Sequence, residues 1–343
     1  MSVDTPGVPV TSGYGELARE IRGLGLLRKR PWTYAVGCAA TLLAGGLVVA
    51  AMLTWSDSWW LILLAPVLAV VSTQLGFLGH DLGHLQVTQS AKTSRRLGLV
   101  CGNLLGGLSY SWWVDKHNAH HAHPNDLETD PDVREGALVW DSGQADTRQG
   151  FAAWVTRHQA GLFVPMLTLE ALNLHVSSVL EMFKPGVRSR FAESVLLAVH
   201  FVAYVALLVV TLTWAQALVF LAVHKGLQGI YLGLSFAPGH KGMPILDEEQ
   251  AADPLLRQVL TSRNIRGSWF IDNALGGLNY QVEHHLFPSM PRRNLRLAQP
   301  VVRDFCDRRG VLYTEVSPFA SYAAGWQHLH QVGAGLRARD KVS

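Results

Sequence analysis

Three long stretches of this chain run without a formal charge: Trp32–Trp55, Ser58–Gly79 and Ser194–Thr213. Each is close to the roughly 20 apolar residues a helix needs to cross a bilayer's hydrocarbon core. A fourth, Trp214–Phe236, follows the third almost without a linker but carries His224 and Lys225, about 16 Å along a helix from its start. Ionisable groups at that depth face a bundle interior or snorkel, and they mark function by default. The pattern predicts two helical hairpins with spans at about 32–55, 58–79, 194–213 and 214–236. Gly98–Trp113 and Gly161–Leu180 are apolar but short or interrupted, and are expected to lie in or against the membrane interface.

Composition agrees with lipid. The chain is 49% hydrophobic and 16% charged, against about a quarter charged in a soluble domain. Charge then sets orientation. Arg19, Arg22, Arg28, Lys29 and Arg30 precede the first span, Lys184, Arg188 and Arg190 precede the third, and the connection around Asp57 has no Lys or Arg. The positive-inside rule puts both termini and the long 80–191 segment in the cytoplasm. The net charge of +3 reads as topology and headgroup attraction, and no nucleic-acid partner is expected. The N-terminus has no charged n-region with a short apolar core, so no removable signal peptide is expected. Cys38, Cys101 and Cys306 are isolated, which argues against disulfide and thiolate metal sites.

The expected fold is an all-α integral membrane protein whose four spans carry a helical cytoplasmic cap. The layout is a cytoplasmic segment at 1–31, a membrane domain at 32–327 with its cap at 80–191 and 237–327, and a tail at 328–343. Residues 1–18 are expected to be disordered, and 334–343 to form a polar tail.

Of fifteen histidines, eight gather in a few places. "HDLGH" sets His80 and His84 one helical turn apart at the cytoplasmic end of span two. "HNAHHAHPN" places His117, His120 and His121 at i, i+3 and i+4, on one helix face; His123 lies past the helix end and reads as structural. "QVEHH" repeats that spacing with Gln281, His284 and His285, and "FAPGHKG" puts His240 just beyond span four. Topology brings all four groups to the cytoplasmic side. Eight imidazoles exceed one tetrahedral zinc and suit two metals, with iron, copper or zinc favoured over calcium or magnesium. A neutral amide is a poor ligand, so Gln281 is expected to orient a water or an imidazole. Asp81, Asp126, Glu128, Asp130 and Glu283 are candidate acceptors for imidazole N–H groups, although Asp126–Asp132 read first as solvated turn residues.

The motifs H-x3-H, H-x2-H-H and Q-x2-H-H, in this order on four spans, resemble the membrane fatty acid desaturases. The likeness is greatest to the acyl-lipid and acyl-CoA subgroup with a glutamine-type third box, which includes front-end enzymes. It covers about residues 32–310. The resemblance implies an oxidoreductase with two iron ions that uses O2 and two electrons to place a cis double bond in an acyl chain. His80, His84, His117, His120, His121, His284 and His285 then match the family's ligands, and His240 its additional one. Gly239 stands where the subgroup usually has asparagine. Trp113 matches a tryptophan bordering the acyl tunnel in related enzymes, and Trp112 and His224 are further candidates for that wall.

The same scaffold could perform hydroxylation or acetylenation. "HDLGH" also resembles the zinc-protease motif with Asp for Glu, but it lacks the glutamate base and the histidines are in surplus. Many front-end enzymes carry a fused cytochrome b5 with an H-P-G-G motif that this sequence lacks. A separate donor is therefore expected: a ferredoxin, a flavin/iron–sulfur reductase or a free cytochrome b5. The acyl substrate could be a CoA ester or a phospholipid, met by Lys116, Arg188 or Arg190.

Overall fold

The computed structural model describes residues 13–339. They are mostly helical, and the only strand pairing among them is the short parallel ladder of Asn264–Ile265 with Glu315–Val316. The chain forms two compact units. A membrane unit comprises Lys29–Asp115 and Val164–Leu234, and a histidine unit comprises, among the described residues, 13–28, Lys116–Phe163 and 235–339. The expected cap at 80–191 is thus divided: its first and last parts belong to the compact unit that contains the spans.

Four helical stretches are long and apolar enough to cross a membrane: Pro31–Thr54, Trp59–Gly83, Arg190–Thr211 and Trp214–Gly239. Pro31 opens the first where its missing N–H costs nothing. The second begins as a six-residue 3-10 segment, Trp59–Leu64, capped by Ser58, and continues as the α-helix Ala65–Gly83. The helix therefore runs on to Gly83, into the first histidine motif, instead of stopping at residue 79. Val48, Met52, Leu61, Ala65, Leu208, Leu212 and Phe220 form the core of this unit. Exposed residues are concentrated in the first and third spans, as expected for helices whose outer solvent is lipid, whereas the second and fourth are mostly buried or half-buried. Helices Gly150–Leu167 and Glu170–Glu181 together also pass the length and composition test, but are bent by 79° at their junction.

Polar groups inside the membrane unit are paired, across helices or along one helix. The His224 ring sits between Ser72 Oγ at 3.1 Å and the Tyr204 hydroxyl at 2.7 Å. Lys225 Nζ donates to Gln228 at 3.0 Å. Both residues are buried in a helix that begins at Trp214. His175 and His200 donate Nδ1 protons to the carbonyls of Gly107 (2.8 Å) and Leu104 (2.9 Å). Gly107 has φ +67, and a Cβ there would meet the His200 ring at 2.6 Å, so only glycine fits. Glu193 is fully buried and accepts from Asn103 (3.0 Å) and Ser109 (2.7 Å), tying the π-helical turn Leu99–Leu105 to the third span.

The histidine unit builds its core on the amphipathic helix Arg292–Arg309, whose Leu295, Ala298, Val302 and Phe305 pack with Val259, Val282, Leu286 and Met290. Leu17 and Ile21 of the helix Tyr14–Gly23 join that core with no exposed surface, and full burial of such side chains stabilises by roughly 1.5–3 kcal/mol each. Expected disorder therefore does not reach past residue 13; the part of that expectation on residues 1–12 lies outside the described residues. The expected tail is corrected in the same way. Helix Pro318–Val332 runs through its boundary, and Leu336 of Ala334–Arg339 is buried with Val139, Ala145 and Val332. Residues 340–343 lie outside the description.

Candidate metal centre

In the membrane unit, His80 lies in the last turn of the second span and His84 is its C-cap residue. Helical spacing brings their rings to 4.8 Å between centroids, and both are buried. His80 Nδ1 lies 3.0 Å from the Asp81 carboxylate, which fixes the proton on that nitrogen. The Trp113 ring meets the His80 ring edge-on at 5.4 Å. Gly83 permits this approach, because a Cβ there would be 3.0 Å from Trp113. Trp112 is half-buried on the same helix, and His224 is held by Ser72 and Tyr204 as described.

In the histidine unit, His117, His120 and His121 belong to the helix Tyr110–Ala122, and Gln281, His284 and His285 to the short helix Gln281–Leu286. All six are buried, with His240. Two groups of rings result. His117 and His121 place their Nε2 atoms 3.1 Å apart, and the His284 ring lies 4.8 Å from that of His121. In the other group, His240 Nε2 is 3.3 Å from His120 Nε2 and 2.9 Å from His285 Nε2. The His121 and His285 rings stack at 4.1 Å.

The outer nitrogens decide what the inner ones offer. His120 Nδ1 donates to Asp130 (2.9 Å), His240 Nδ1 to the Thr261 carbonyl (2.9 Å), and His285 Nδ1 to Gln258 Oε1 (3.0 Å). Gln258 can present its oxygen because its amide nitrogen is committed to the His121 carbonyl at 2.9 Å. Carboxylate and carbonyl oxygens only accept, so each of the three rings carries its proton on Nδ1 and a lone pair on Nε2. Burial, with His120 beside it, also holds His240 well below the usual imidazole range, in the neutral form. Three lone pairs within 4.8 Å of one another cannot bond to each other. A cation answers that arrangement, and the donor set fits a borderline transition metal.

Around this cluster, Gln281 places its amide nitrogen 2.8 Å from His240 Nε2, on the lone pair a metal would take. A Cβ at residue 239 would stand 2.9 Å from Gln281 Cγ, so the glycine is what lets Gln281 lie there. Asp130 is fully buried, receives the His120 proton and accepts from the Asn125 backbone N–H at 2.8 Å, which corrects its expected place among solvated turn residues. Glu283 is also fully buried, but its carboxylate accepts from Asn264 and Tyr313 (both 2.7 Å) instead of an imidazole. Burial pushes that carboxyl up to about 7, against the lowering effect of those two bonds. His123 is exposed past the helix end. Gln258, Thr261 and Asn125 were not singled out from the sequence. Asn125 alone had a local signal, as an asparagine after His-Pro that adopts φ 63.

These features define a helical protein with membrane-spanning helices and a buried, metal-competent histidine cluster. The family described as "Fatty acid desaturase" matches residues 57–317, and the chain belongs to that family. Similar curated proteins include a Delta(8)-fatty-acid desaturase of Arabidopsis thaliana, 27% identical over 97% of this chain and 77% of its own length. An acyl-lipid (9-3)-desaturase of Physcomitrium patens is 31% identical over 78% of this chain and 52% of its own. A Delta(6)-fatty-acid desaturase of Caenorhabditis elegans is 30% identical over 82% and 66%. The protein is a membrane fatty acyl desaturase, an oxidoreductase. The protease-like reading of "HDLGH" falls away with that membership.

Proposed function

We propose that His80, His84, His117, His120, His121, His240, His284 and His285 hold two iron ions, and that the chain uses O2 and two electrons to introduce a cis double bond into a CoA-linked or phospholipid acyl chain. The observation that carries this is the convergence of the His120, His240 and His285 lone pairs, each with its tautomer fixed from outside. An unactivated methylene has no acidic proton for a side chain to remove, and when bound the iron pair supplies the oxidising power. The chain's own residues hold those ligands, bury them from water and line the acyl path. Trp113, Trp112 and His224 are proposed for that lining, with Gln281, Asp81 and Glu283 acting around the ligands.

The spans are proposed to form two hairpins with both termini and the histidines cytoplasmic, supported by the Lys and Arg distribution. Electrons are proposed to come from a separate ferredoxin, flavin/iron–sulfur reductase or cytochrome b5. Metal analysis of the purified chain tests the centre: two irons per chain are expected, and a single zinc would overturn it. Expression with a competent donor in a host lacking unsaturated fatty acids tests the reaction. New monounsaturated chains are expected; hydroxylated chains in their place would assign the related hydroxylase activity.

A further inference from the structure

We propose that Arg263 is a positioning residue whose buried guanidinium clamps the Pro238–Lys241 turn and so sets where the His240 Nε2 lone pair points. This rests on the reading of His240 as a metal ligand. Arg263 is 4% exposed. Its Nη2 donates to the carbonyls of Pro238 and Lys241, each at 2.8 Å, and its Nε reaches Ser321 Oγ at 3.0 Å. Ser321 Oγ in turn donates to the Pro238 carbonyl at 2.9 Å. The Arg263 backbone N–H adds a bond to the Gly239 carbonyl at 2.8 Å, and two residues earlier the Thr261 carbonyl receives the His240 Nδ1 proton at 2.9 Å. One three-residue segment therefore holds both the backbone and the ring of His240.

Two physical points separate this from ordinary filling of space. No carboxylate pairs with Arg263 among the described residues, and a buried cation answered only by carbonyls is costly where an apolar side chain could fill the volume. The turn also needs restraint from outside. It follows a helix end, where the carbonyls lack intrahelical partners, and Gly239 loosens its backbone. A planar fork with several fixed donors can gather carbonyls pointing in different directions, which a single ammonium cannot. His240 must be held closely, since its Nε2 lies 2.9 and 3.3 Å from two neighbouring nitrogens.

The test loads the purified full chain with Co2+ and reads the ligand-field absorption and the Co2+ affinity for His240→Ala, Arg263→Ala, Arg263→Lys and Ser321→Ala. His240→Ala is expected to change the spectrum. Arg263→Ala should reproduce that change with affinity at one position lowered at least ~10-fold, Arg263→Lys should restore it in part, and Ser321→Ala should give a smaller shift of the same kind. A spectrum for Arg263→Ala identical to the parent's, beside an altered His240→Ala, overturns the proposal. An unaltered His240→Ala overturns instead the reading of His240 as a ligand. If Arg263→Ala fails to fold, Arg263→Lys and Ser321→Ala decide: parental spectra and affinities in both overturn the clamp.

Discussion

At the residue scale, the chemistry of the centre is set by atoms that face away from it. Gln258 shows this best, because one amide carries two instructions: its oxygen fixes the His285 tautomer, and its nitrogen holds the His121 carbonyl. Gln258→Leu removes both, so His285 can place its proton on either nitrogen. Chelator competition on the purified chain is expected to show metal affinity lowered about 10–100-fold, with Gln258→Glu, which keeps an acceptor, losing less. An unchanged affinity in Gln258→Leu would show that tautomer control at His285 is unimportant. The histidine spacings were legible because helix periodicity is local. Among the tautomer-fixing partners, Asp81 and Asp130 were among the acidic candidates, but the neutral ones were not: Gln258 is 27 residues from His285, and Thr261 is 21 from His240. Asp130 is only 10 from His120, yet its setting in a polar acidic run hid its burial.

At the element scale, hydrophobic runs gave the spans within a few residues, since uninterrupted apolarity is a strong one-dimensional signal. Polar exceptions inside those runs were harder to weigh. Glu193, near the start of the third span, sits in no motif, yet it is fully buried and joins that helix to the π-helical turn through Asn103 and Ser109. Replacing it with leucine leaves these donors unanswered in a low-dielectric interior. Glu193→Leu is expected to destabilise the membrane unit by about 2–4 kcal/mol, and Glu193→Gln, which retains an acceptor oxygen, by less. Thermal unfolding in a mild detergent measures both. Equal midpoints for Glu193→Leu and the parent would mean that the turn is held by packing alone. Gly107 belongs to the same junction. Its left-handed backbone and its closeness to His200 predict that Gly107→Ala, through strain and overpacking, costs about 1–3 kcal/mol in the same assay.

At the scale of the whole molecule, the sequence placed the boundary between membrane and cap at the ends of the apolar spans, whereas the chain divides at Asp115 and Val164. The apolar stretches Gly98–Trp113 and Gly161–Leu180, expected against the membrane, do fall in the unit with the spans, the second from Val164 onward, but hydrophobicity alone did not mark where the chain passes from one unit to the other. Orientation is the reverse case, since it depends on charge placement that the sequence displays in full. The aromatic residues Trp55, Trp59, Trp60 and Trp214 are all strongly exposed near span ends, as headgroup-level anchors are. Asp57 N–H bonds the Thr211 carbonyl at 2.8 Å, so the tip after span one adjoins the end of span three. With no Lys or Arg at that tip and a basic cluster before span three, both tips should face away from the cytoplasm. Replacing the three native cysteines with serine and introducing Asp57→Cys or Arg188→Cys makes this measurable with a membrane-impermeant maleimide on intact cells. Asp57→Cys is expected to label directly and Arg188→Cys only after permeabilisation. The opposite pattern would invert the topology and remove the histidines from the compartment where a soluble electron donor could reach them.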